Sequence, residues 1–413
     1  MELFLVLSNS FRWKVVLTLE LRLKKLLGID KYVHIPELDG VRAIAVLMVF
    51  IYHAWGMSGG PILNLFGNDL SFLLSWGHPG VNLFYVLSGF LLFNPYAVNY
   101  YNADSPPNVK KYFIRRALRI LPVYYVFLIL NVLLTPNIAL LSIDGLKKLL
   151  INFLFLQGLF PDQMINDVTW TLSNEVQFYI ILPFIARYFV GRRSFIAFLV
   201  TVIVVITYRA ICYFTYSPNT NAFDRNYYYL TEYNILGCID NFAIGMILAN
   251  ILCLMKSGTH PPLIKIIKST KYLVWLSPLV FSLLIYTYYT GVNKTNSYFS
   301  WYFFSFGFDF FLYLLYSMIF LYVLFYSNLF TKFLSNIYFR AIGIIGYSVY
   351  IWHLPIMRNL TTIHFISSVD GWERYVRLLS LSTLIVIPLS LFMFIFVEKY
   401  FMDLSYSLTK KNK

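Results

Sequence analysis

Residues 37–55 of the chain read ELDGVRAIAVLMVFIYHAW and include most of the first predicted membrane-spanning helix. Its two basic residues are Arg42 and His53, eleven positions apart. On an α-helix that interval is about 20° of rotation and about 16 Å of rise, so we expect both side chains on one face. In a hydrocarbon core roughly 30 Å thick, Arg42 would lie at one membrane surface and His53 just past the midplane. An ionisable group at that depth predicts a functional site.

The composition indicates an integral membrane protein. Of 413 residues, 59% are hydrophobic and 13% are charged, whereas soluble proteins carry about 25% charged residues. The formal charge of +14 is explained by basic cytoplasmic loops, so we expect no nucleic-acid partner. The three cysteines have no metal-binding spacing, so we expect neither a disulfide framework nor a metal. The apolar start MELFLVL is too short for a cleavable signal peptide.

The apolar segments predict an all-α fold, a polytopic membrane helix bundle of ten spans. The predicted spans are 40–57, 80–98, 116–135, 170–190, 194–214, 234–255, 272–290, 304–326, 341–358 and 377–397. Loop 58–79 contains no Lys or Arg, whereas the segment before the first span and the loop before the third are basic. The positive-inside rule then places both termini in the cytoplasm.

Two further segments are predicted to lie at the membrane surface. Residues 1–34 contain a basic amphipathic helix at 9–29, which fits a surface anchor on anionic lipid. Residues 149–160, LLINFLFLQGLF, are apolar but too short to span, so we expect a re-entrant or interfacial segment.

Ionisable residues inside the predicted spans are the main functional candidates. They are His53, Glu175, Asp240, Asp309 and His353, and each charged one costs roughly 2.5–3.5 kcal/mol at mid-bilayer on insertion scales. His53, Glu175, Asp240 and His353 fall at similar depths and are expected to meet in one outward-opening pocket. The alternative to a catalytic role is a structural one: a helix–helix hydrogen bond for His53 and pairing with a basic neighbour for Glu175. For Asp240 and His353 a structural role is favoured.

The segment FIRRALRILPVYY carries a second basic feature. Arg116 and Arg119 are three residues apart and hence on one face at the cytoplasmic end of the third span. Planar guanidinium groups can grip phosphate oxygens at two points, which favours a ligand role. For Arg115 ordinary positive-inside flanking is the preferred interpretation.

Small residues mark the segment GHPGVNLFYVLSGFLLF. Gly80, Ser88 and Gly89 predict close helix packing. The sequence places no base beside Ser88, so a nucleophilic role is not predicted for it.

Together these segments resemble the membrane-bound acyltransferase-3 family, which O-acylates bacterial surface carbohydrates and some small molecules. The matching pieces occur in the family's order and are LDGVRAIAVLMVFIYH, GVNLFYVLSGFLL, FIRRALRILPVYY, WTLSNEVQFYIILP, IDNFAIGMILA, GYSVYIWHLPI and FVEKYF. The resemblance implies a ten-span bundle that uses acyl-CoA. It marks the Arg-x10-His pair, the Arg-x-x-Arg pair, Trp170, Ser173 and Glu175. This chain departs from the family at Val176, where relatives often have a second carboxylate.

The pattern and the resemblance together give a predicted site. The catalytic residues would be His53 and Glu175, the acyl-CoA-binding residues Arg42, Arg116 and Arg119, and the substrate-binding residues Trp170, Ser173, Asp240 and His353. His53 would either deprotonate the acceptor hydroxyl or carry the acyl group transiently.

The expected function is membrane O-acyl transfer, with acetyl as the default group and acetyl-CoA as the default donor. The acceptor would be a hydroxyl of a surface carbohydrate, free or lipid-linked, such as the O-antigen of lipopolysaccharide, a capsule or an exopolysaccharide. Residues 35–400 would be the acyltransferase domain in the bacterial cytoplasmic membrane, and 401–413 a basic cytoplasmic tail. The alternative is a transporter or flippase, but transporters more often show internal repeats, and none is visible.

Overall fold

The computed structural model describes residues 18–29, 31, 35–75, 77, 79–134, 142–216, 225–257, 312 and 315–410. Within these ranges the regular structure is helical apart from one antiparallel hairpin, β1 (Asn64–Leu65) and β2 (Asn68–Asp69). The helices are α1 (18–27), α2 (Pro36–Met57), α3 (Phe72–Ser75), α4 (Pro79–Tyr101), α5 (Val109–Leu134), α6 (Ile143–Phe153), α7 (Thr169–Ile185), α8 (Arg193–Tyr216), α9 (Arg225–Glu232), α10 (Ile235–Lys256), α11 (Leu315–Phe325), α12 (Leu329–Leu334), α13 (Ile337–Ile344), α14 (Gly346–Leu360), α15 (His364–Ser367), α16 (Gly371–Met393) and α17 (Lys399–Lys410). The predicted all-α fold is confirmed.

Six helical stretches of the described chain are long and apolar enough to cross a membrane. They are Pro36–Met57, Leu73–Tyr101, Val109–Leu133, Arg193–Thr215, Tyr229–Lys256 and Gly371–Lys410. Each overlaps one of the predicted spans. The polytopic membrane bundle is therefore confirmed.

The remaining predicted spans differ from these six. The fourth span corresponds to α7, which has 17 residues. The ninth corresponds to α13 and α14, which are separated by a break at Ile345. The span at 272–290 lies outside the described residues, as does most of 304–326 before α11. The count of ten stays a prediction.

Helix α2 lies at the centre of the group of helices that surrounds the candidate functional site. It packs against α4, α13 and α14; α4 also packs against α10, and α14 against α16. Glycines permit the closest approaches: a Cβ on Gly89 would lie 2.1 Å from the carbonyl oxygen of Phe242, and one on Gly343 would lie 1.9 Å from that of Asp39. The predicted role of Gly80 and Gly89 in close packing fits this geometry.

The two predicted surface segments are partly described. Helix α1 covers the C-terminal part of the predicted amphipathic helix, with Leu27 fully buried and Leu21 57% exposed. Its last carbonyl groups, those of Lys25 and Leu26, accept hydrogen bonds from Lys399 Nζ. Helix α6 is amphipathic and begins at the Ser142 cap, and it covers only the start of the segment predicted as re-entrant or interfacial.

A π-helical turn, Phe394–Glu398, joins α16 to α17. Such turns are rare and occur mostly inside α-helices. Here the turn carries Glu398 into the interior, where it is 3% exposed and accepts a hydrogen bond from Ser348 Oγ of α14 at 2.5 Å. The turn therefore fixes α14 against the C-terminal helix.

Candidate functional site

A cavity of about 990 Å³, counting its open mouth, lies between α2, α4, α5, α7 and α14. Its polar lining combines the cationic, acidic and hydroxyl side chains of Arg42, Arg116, Arg119, Ser88, Glu175, Thr169, Thr171, Tyr179, Tyr85, Tyr347 and Tyr350. The rest of the wall is mainly apolar, with Phe84, Leu87 and Ile351 among the contributors. A concave cavity whose wall combines apolar side chains with convergent polar groups is the usual form of a small-molecule site.

The three arginines predicted to bind acyl-CoA all line this cavity. Arg42 and Arg116 each interact electrostatically with Arg119 and with Glu175. Among the described residues Arg116 Nε is buried and has no hydrogen-bond partner, although its guanidinium lies 6.0 Å from the centre of the Tyr112 ring. A buried N–H without a partner is costly, and an anionic ligand would satisfy it. Three guanidinium groups from two helices thus face one space, as an anion site requires.

Glu175 lies in the same cavity, fixed by two hydroxyl groups. Ser88 Oγ of α4 donates to Glu175 Oε1 at 2.7 Å, and Tyr179 OH, one turn further along α7, donates to the same oxygen at 2.7 Å. The sequence shows no base beside Ser88, whereas the fold puts a carboxylate there. Helices far apart in sequence meet at this point, so the contact could not be predicted from the residues next to Ser88.

His53 and His353 form a pair. His353 Nε2 lies 3.0 Å from His53 Nδ1, and His353 Nδ1 lies 2.5 Å from the carbonyl oxygen of Tyr350. A carbonyl oxygen only accepts, so His353 carries its proton on Nδ1 and its Nε2 is an acceptor. His53 Nδ1–H then faces two acceptors at 3.0 Å, His353 Nε2 and the carbonyl oxygen of Val49. The lone pair of neutral His53 then resides on Nε2, which is the nitrogen suited to act as a base.

Tyr350 stands between this histidine pair and the cavity. Its ring centre is 5.6 Å from that of His353 and 5.9 Å from that of Phe84. Its hydroxyl accepts a hydrogen bond from Thr171 Oγ1 at 2.9 Å. Among the described residues, Arg42 and Tyr350 line the cavity, whereas His53 and His353 do not. Arg42 and His53 thus share a helix, but Tyr350 separates their surroundings.

The three other predicted substrate-binding residues lie away from the cavity lining. Trp170 is stacked on Tyr233, with ring centres 4.3 Å apart. Ser173 Oγ donates to the carbonyl oxygen of Phe155 at 2.6 Å. Asp240 is 8% exposed and accepts from the backbone N–H of Asn241 at 3.0 Å. Their roles as substrate contacts stay predictions.

Several residues of the cavity were not predicted from the sequence. Tyr179 lies four residues after Glu175 and Tyr350 lies three residues before His353, so helical spacing from the predicted residues was an available signal. Ser88 and Thr171 had no comparable signal. No group of three His, Cys, Asp or Glu side chains in the described part of the chain could hold a metal ion.

The sequence matches the family described as "Acyltransferase domain" (Acyl_transf_3) over residues 35–397. A Staphylococcus aureus strain COL protein, provisionally named an O-acetyltransferase, is 27% identical over 361 residues, which are 81% of this chain and 53% of that protein. The peptidoglycan O-acetyltransferase OatA of Listeria monocytogenes is 27% identical over 168 residues, 36% of this chain and 24% of that protein.

An Acidianus two-tailed virus protein, provisionally named an acetyltransferase, is 30% identical over 167 residues, which are 39% of this chain and 44% of that protein. The chain spans about half the length of the curated relatives that it matches over most of its own residues. No solved structure matches it. Because the family match covers most of the chain, residues 35–397, the predicted resemblance is confirmed and the protein belongs to the acyltransferase-3 family.

Proposed function

We propose that the protein is a membrane O-acetyltransferase that moves an acetyl group from acetyl-CoA to a hydroxyl of a cell-surface carbohydrate. The observation that carries the proposal is the convergence of Arg42, Arg116 and Arg119 in one cavity whose wall, at Tyr350, adjoins the His53–His353 pair. The names of the relatives support O-acetyl transfer. Acetyl-CoA as donor and a surface glycan, such as an O-antigen, a capsule or an exopolysaccharide, as acceptor are the proposal's own steps.

Donor binding is the first step. Acyl-CoA is polyanionic, and guanidinium groups form short, charge-assisted hydrogen bonds with phosphate oxygens. The partnerless Arg116 Nε supports a ligand at this point. The arginines lie near the starts of α2 and α5, which the positive-inside rule places at the cytoplasmic surface, where acyl-CoA is available.

Glu175 would orient the pantetheine arm. Its carboxylate is held by Ser88 and Tyr179 and faces the cavity. A carboxylate accepts hydrogen bonds only, so it can receive an amide N–H of the arm. The arm would then extend toward Tyr350 and bring the thioester to His53 once that ring moves aside.

Acyl transfer would follow with His53 as general base. His53 Nε2 takes the proton from the acceptor hydroxyl, the hydroxyl oxygen attacks the thioester carbonyl, and the carbon–sulfur bond breaks. The CoA thiolate leaves with the proton that His53 Nε2 then returns, which regenerates the neutral base. Two acceptors 3.0 Å from His53 Nδ1, His353 Nε2 and the carbonyl oxygen of Val49, hold the required tautomer. The base role is favoured because a neighbouring ring that accepts the Nδ1 proton orients the Nε2 lone pair, as in catalytic dyads and triads.

Purified full-length protein in lipid nanodiscs, supplied with radiolabelled acetyl-CoA and surface glycans from the host, tests the proposal. We expect label in the glycan and loss of transfer by a factor of about 10²–10⁴ in His53→Gln. His364→Gln, on the exposed helix α15, is the matched control and should retain activity. If the wild type transfers no label to any glycan fraction, the proposal is contradicted. Label bound covalently to His53 would show that His53 carries the acyl group and is not a general base.

The transporter or flippase alternative has no observation in its favour. Family membership over residues 35–397 favours an acyltransferase. We also propose that the protein is located in the bacterial cytoplasmic membrane, with both termini in the cytoplasm.

A further inference from the structure

A buried ion-pair network lies directly behind Arg42. Asp39 Oδ1 accepts a hydrogen bond from Arg42 Nη1 at 3.4 Å. Asp39 Oδ2 faces Arg340 of α13, at 3.2 Å from Nη2 and 3.4 Å from Nε. Asp39 is 4% and Arg340 7% exposed, and neither is among the described residues that line the cavity. One carboxylate thus joins an arginine of the cavity to an arginine outside it.

The network offsets a repulsion inside the cavity. Arg42 is repelled by Arg119 and attracted by Asp39 and Glu175. Asp39 therefore compensates part of the repulsion between the guanidinium groups of Arg42 and Arg119. Asp39 is three residues before Arg42 on the same helix face, so its pull is directed along α2.

Arg340 determines which oxygen of Asp39 remains for Arg42. Arg340 approaches Oδ2 with two nitrogens, Nη2 and Nε, so both of its charge-assisted contacts to Asp39 go to this one oxygen. Oδ1 is then left to Arg42. If Arg340 were absent, both carboxylate oxygens could turn to Arg42 and draw its guanidinium toward Asp39, away from a ligand.

The backbone holds this arrangement in register. Gly343, three residues after Arg340 on α13, lies so close to α2 that a Cβ there would be 1.9 Å from the Asp39 carbonyl oxygen. Helices α2 and α13 therefore meet at the point where the carboxylate is shared. The contact is part of the packing between the two helices and is not a loose surface pair.

We propose that Asp39 and Arg340 are positioning residues of the donor site: Arg340 fixes Asp39, and Asp39 directs Arg42 toward the phosphate groups of the CoA donor. This inference rests on the proposed function, since it takes acetyl-CoA as the ligand of Arg42. The inference predicts that Arg340, which lies outside the cavity, affects the affinity for the donor only through Arg42.

The first test measures the Kd of acetyl-CoA for the purified full-length protein by isothermal titration. We expect Asp39→Asn and Arg340→Gln each to weaken binding about tenfold, a typical effect for one charge-assisted contact. The matched controls are Asp167→Asn and Arg358→Gln, which break an exposed ion pair of 2.6 Å by the same chemical changes. Both controls should bind acetyl-CoA like the wild type. An unchanged Kd in Asp39→Asn and Arg340→Gln would overturn the inference.

Arg340→Lys guards against simple unfolding, because it keeps the buried positive charge and replaces the two nitrogens that contact Asp39 Oδ2 by one. We expect it to weaken acetyl-CoA binding about threefold or more, with thermal unfolding close to that of the wild type. Wild-type affinity in this variant would count against the positioning role of Arg340.

The second test repeats Asp39→Asn and Arg340→Gln in an Arg42→Ala background. If both residues act through Arg42, neither weakens binding further there, because coupled residues give non-additive effects. A further tenfold loss in that background would refute the positioning role and indicate a general structural effect. Failure of the proposed function looks different: the wild type does not bind acetyl-CoA, or Arg42→Ala alone leaves the Kd unchanged.

Discussion

Tyr350 connects the two halves of the proposed site. Its ring lines the cavity, while its backbone carbonyl oxygen contacts His353. Its hydroxyl accepts from Thr171 Oγ1 and donates to the carbonyl oxygen of Val168 at 3.4 Å. The side chain is therefore held in place by contacts to α7 and to the residue before it. Under the proposed function, a thioester in the cavity would pass this side chain on its way to His53.

Tyr350→Phe should increase the hydrolysis of acetyl-CoA in the absence of an acceptor. Loss of a hydrogen bond worth about 0.5–1.5 kcal/mol would raise the open population, and with it acceptor-independent hydrolysis of acetyl-CoA, by about 2- to 12-fold. Thr171→Val should act alike, whereas Tyr338→Phe, at an exposed position, should not. CoA thiol release without acceptor is the measurement. Equal release in all variants would show that Tyr350 is not a barrier.

Arg116→Ala and Arg119→Ala should raise the KM for acetyl-CoA more than they lower stability. Each removes charge-assisted contacts of about 1.5–3 kcal/mol, and Arg→Lys should restore little if the grip is at two points. Arg115→Ala is the control in the same segment, since Arg115 Nε donates to Thr409 Oγ1 at 3.0 Å and is not among the described lining residues. If the Arg116→Ala and Arg119→Ala variants have the same KM for acetyl-CoA as the Arg115→Ala variant, Arg116 and Arg119 do not bind the donor. Their positive charges would then serve only to orient the third span in the membrane.

The charged residues of the cavity could be predicted from the sequence, because a charge inside a membrane span needs a partner or a ligand. Glu175 was found in this way, whereas Arg42, Arg116 and Arg119 were found from their helical spacing and from the resemblance to the acyltransferase-3 family. Trp170 and Ser173 belong to the same motif as Glu175, but rotation around α7 turns them toward Tyr233 and Phe155. Which neighbour a helix face meets depends on tertiary packing, and a single sequence does not contain that information.

At the scale of elements, the packing of α2 against α13 controls the site. Asp39 and Gly343 meet at this contact, and the ion pairs of Asp39 follow from it. Most of the predicted spans matched helices because a continuous apolar run specifies length well. The break at Ile345 within the ninth predicted span was missed, because apolar residues continue on both sides of it.

Gly343→Ala should destabilise the protein and weaken acetyl-CoA binding together. Its Cβ would lie 1.9 Å from the Asp39 carbonyl oxygen, so α13 must shift, and overpacking of this kind costs about 1–3 kcal/mol. Gly56→Ala is the matched control, since a Cβ there has nothing within 4 Å. Thermal unfolding in detergent and the Kd of acetyl-CoA are the measurements. If the two glycine variants unfold at the same temperature, the close α2–α13 contact does not exist as described.

At the scale of the whole molecule, the arrangement of charge gives the bundle a direction. The arginines of the cavity lie near the starts of α2 and α5, and His53, which pairs with His353 of α14, lies further along α2. If the N-terminus is cytoplasmic, this order leads from a cytoplasmic donor toward an external acceptor. A reversed protein would present its donor site to the wrong compartment. Orientation is thus a requirement of the proposed function.

Cysteine accessibility in spheroplasts tests the orientation. Phe66, in the hairpin after α2, is fully exposed, and Ser105, between α4 and α5, is exposed as well. In a background where the buried Cys212, Cys238 and Cys253 are replaced by Ser, we expect Phe66→Cys to react with a membrane-impermeant maleimide in intact spheroplasts. Ser105→Cys should react only after lysis, because the basic loop that carries it is predicted to be cytoplasmic. The opposite pattern would reverse the bundle and separate the arginine cavity from cytoplasmic acetyl-CoA.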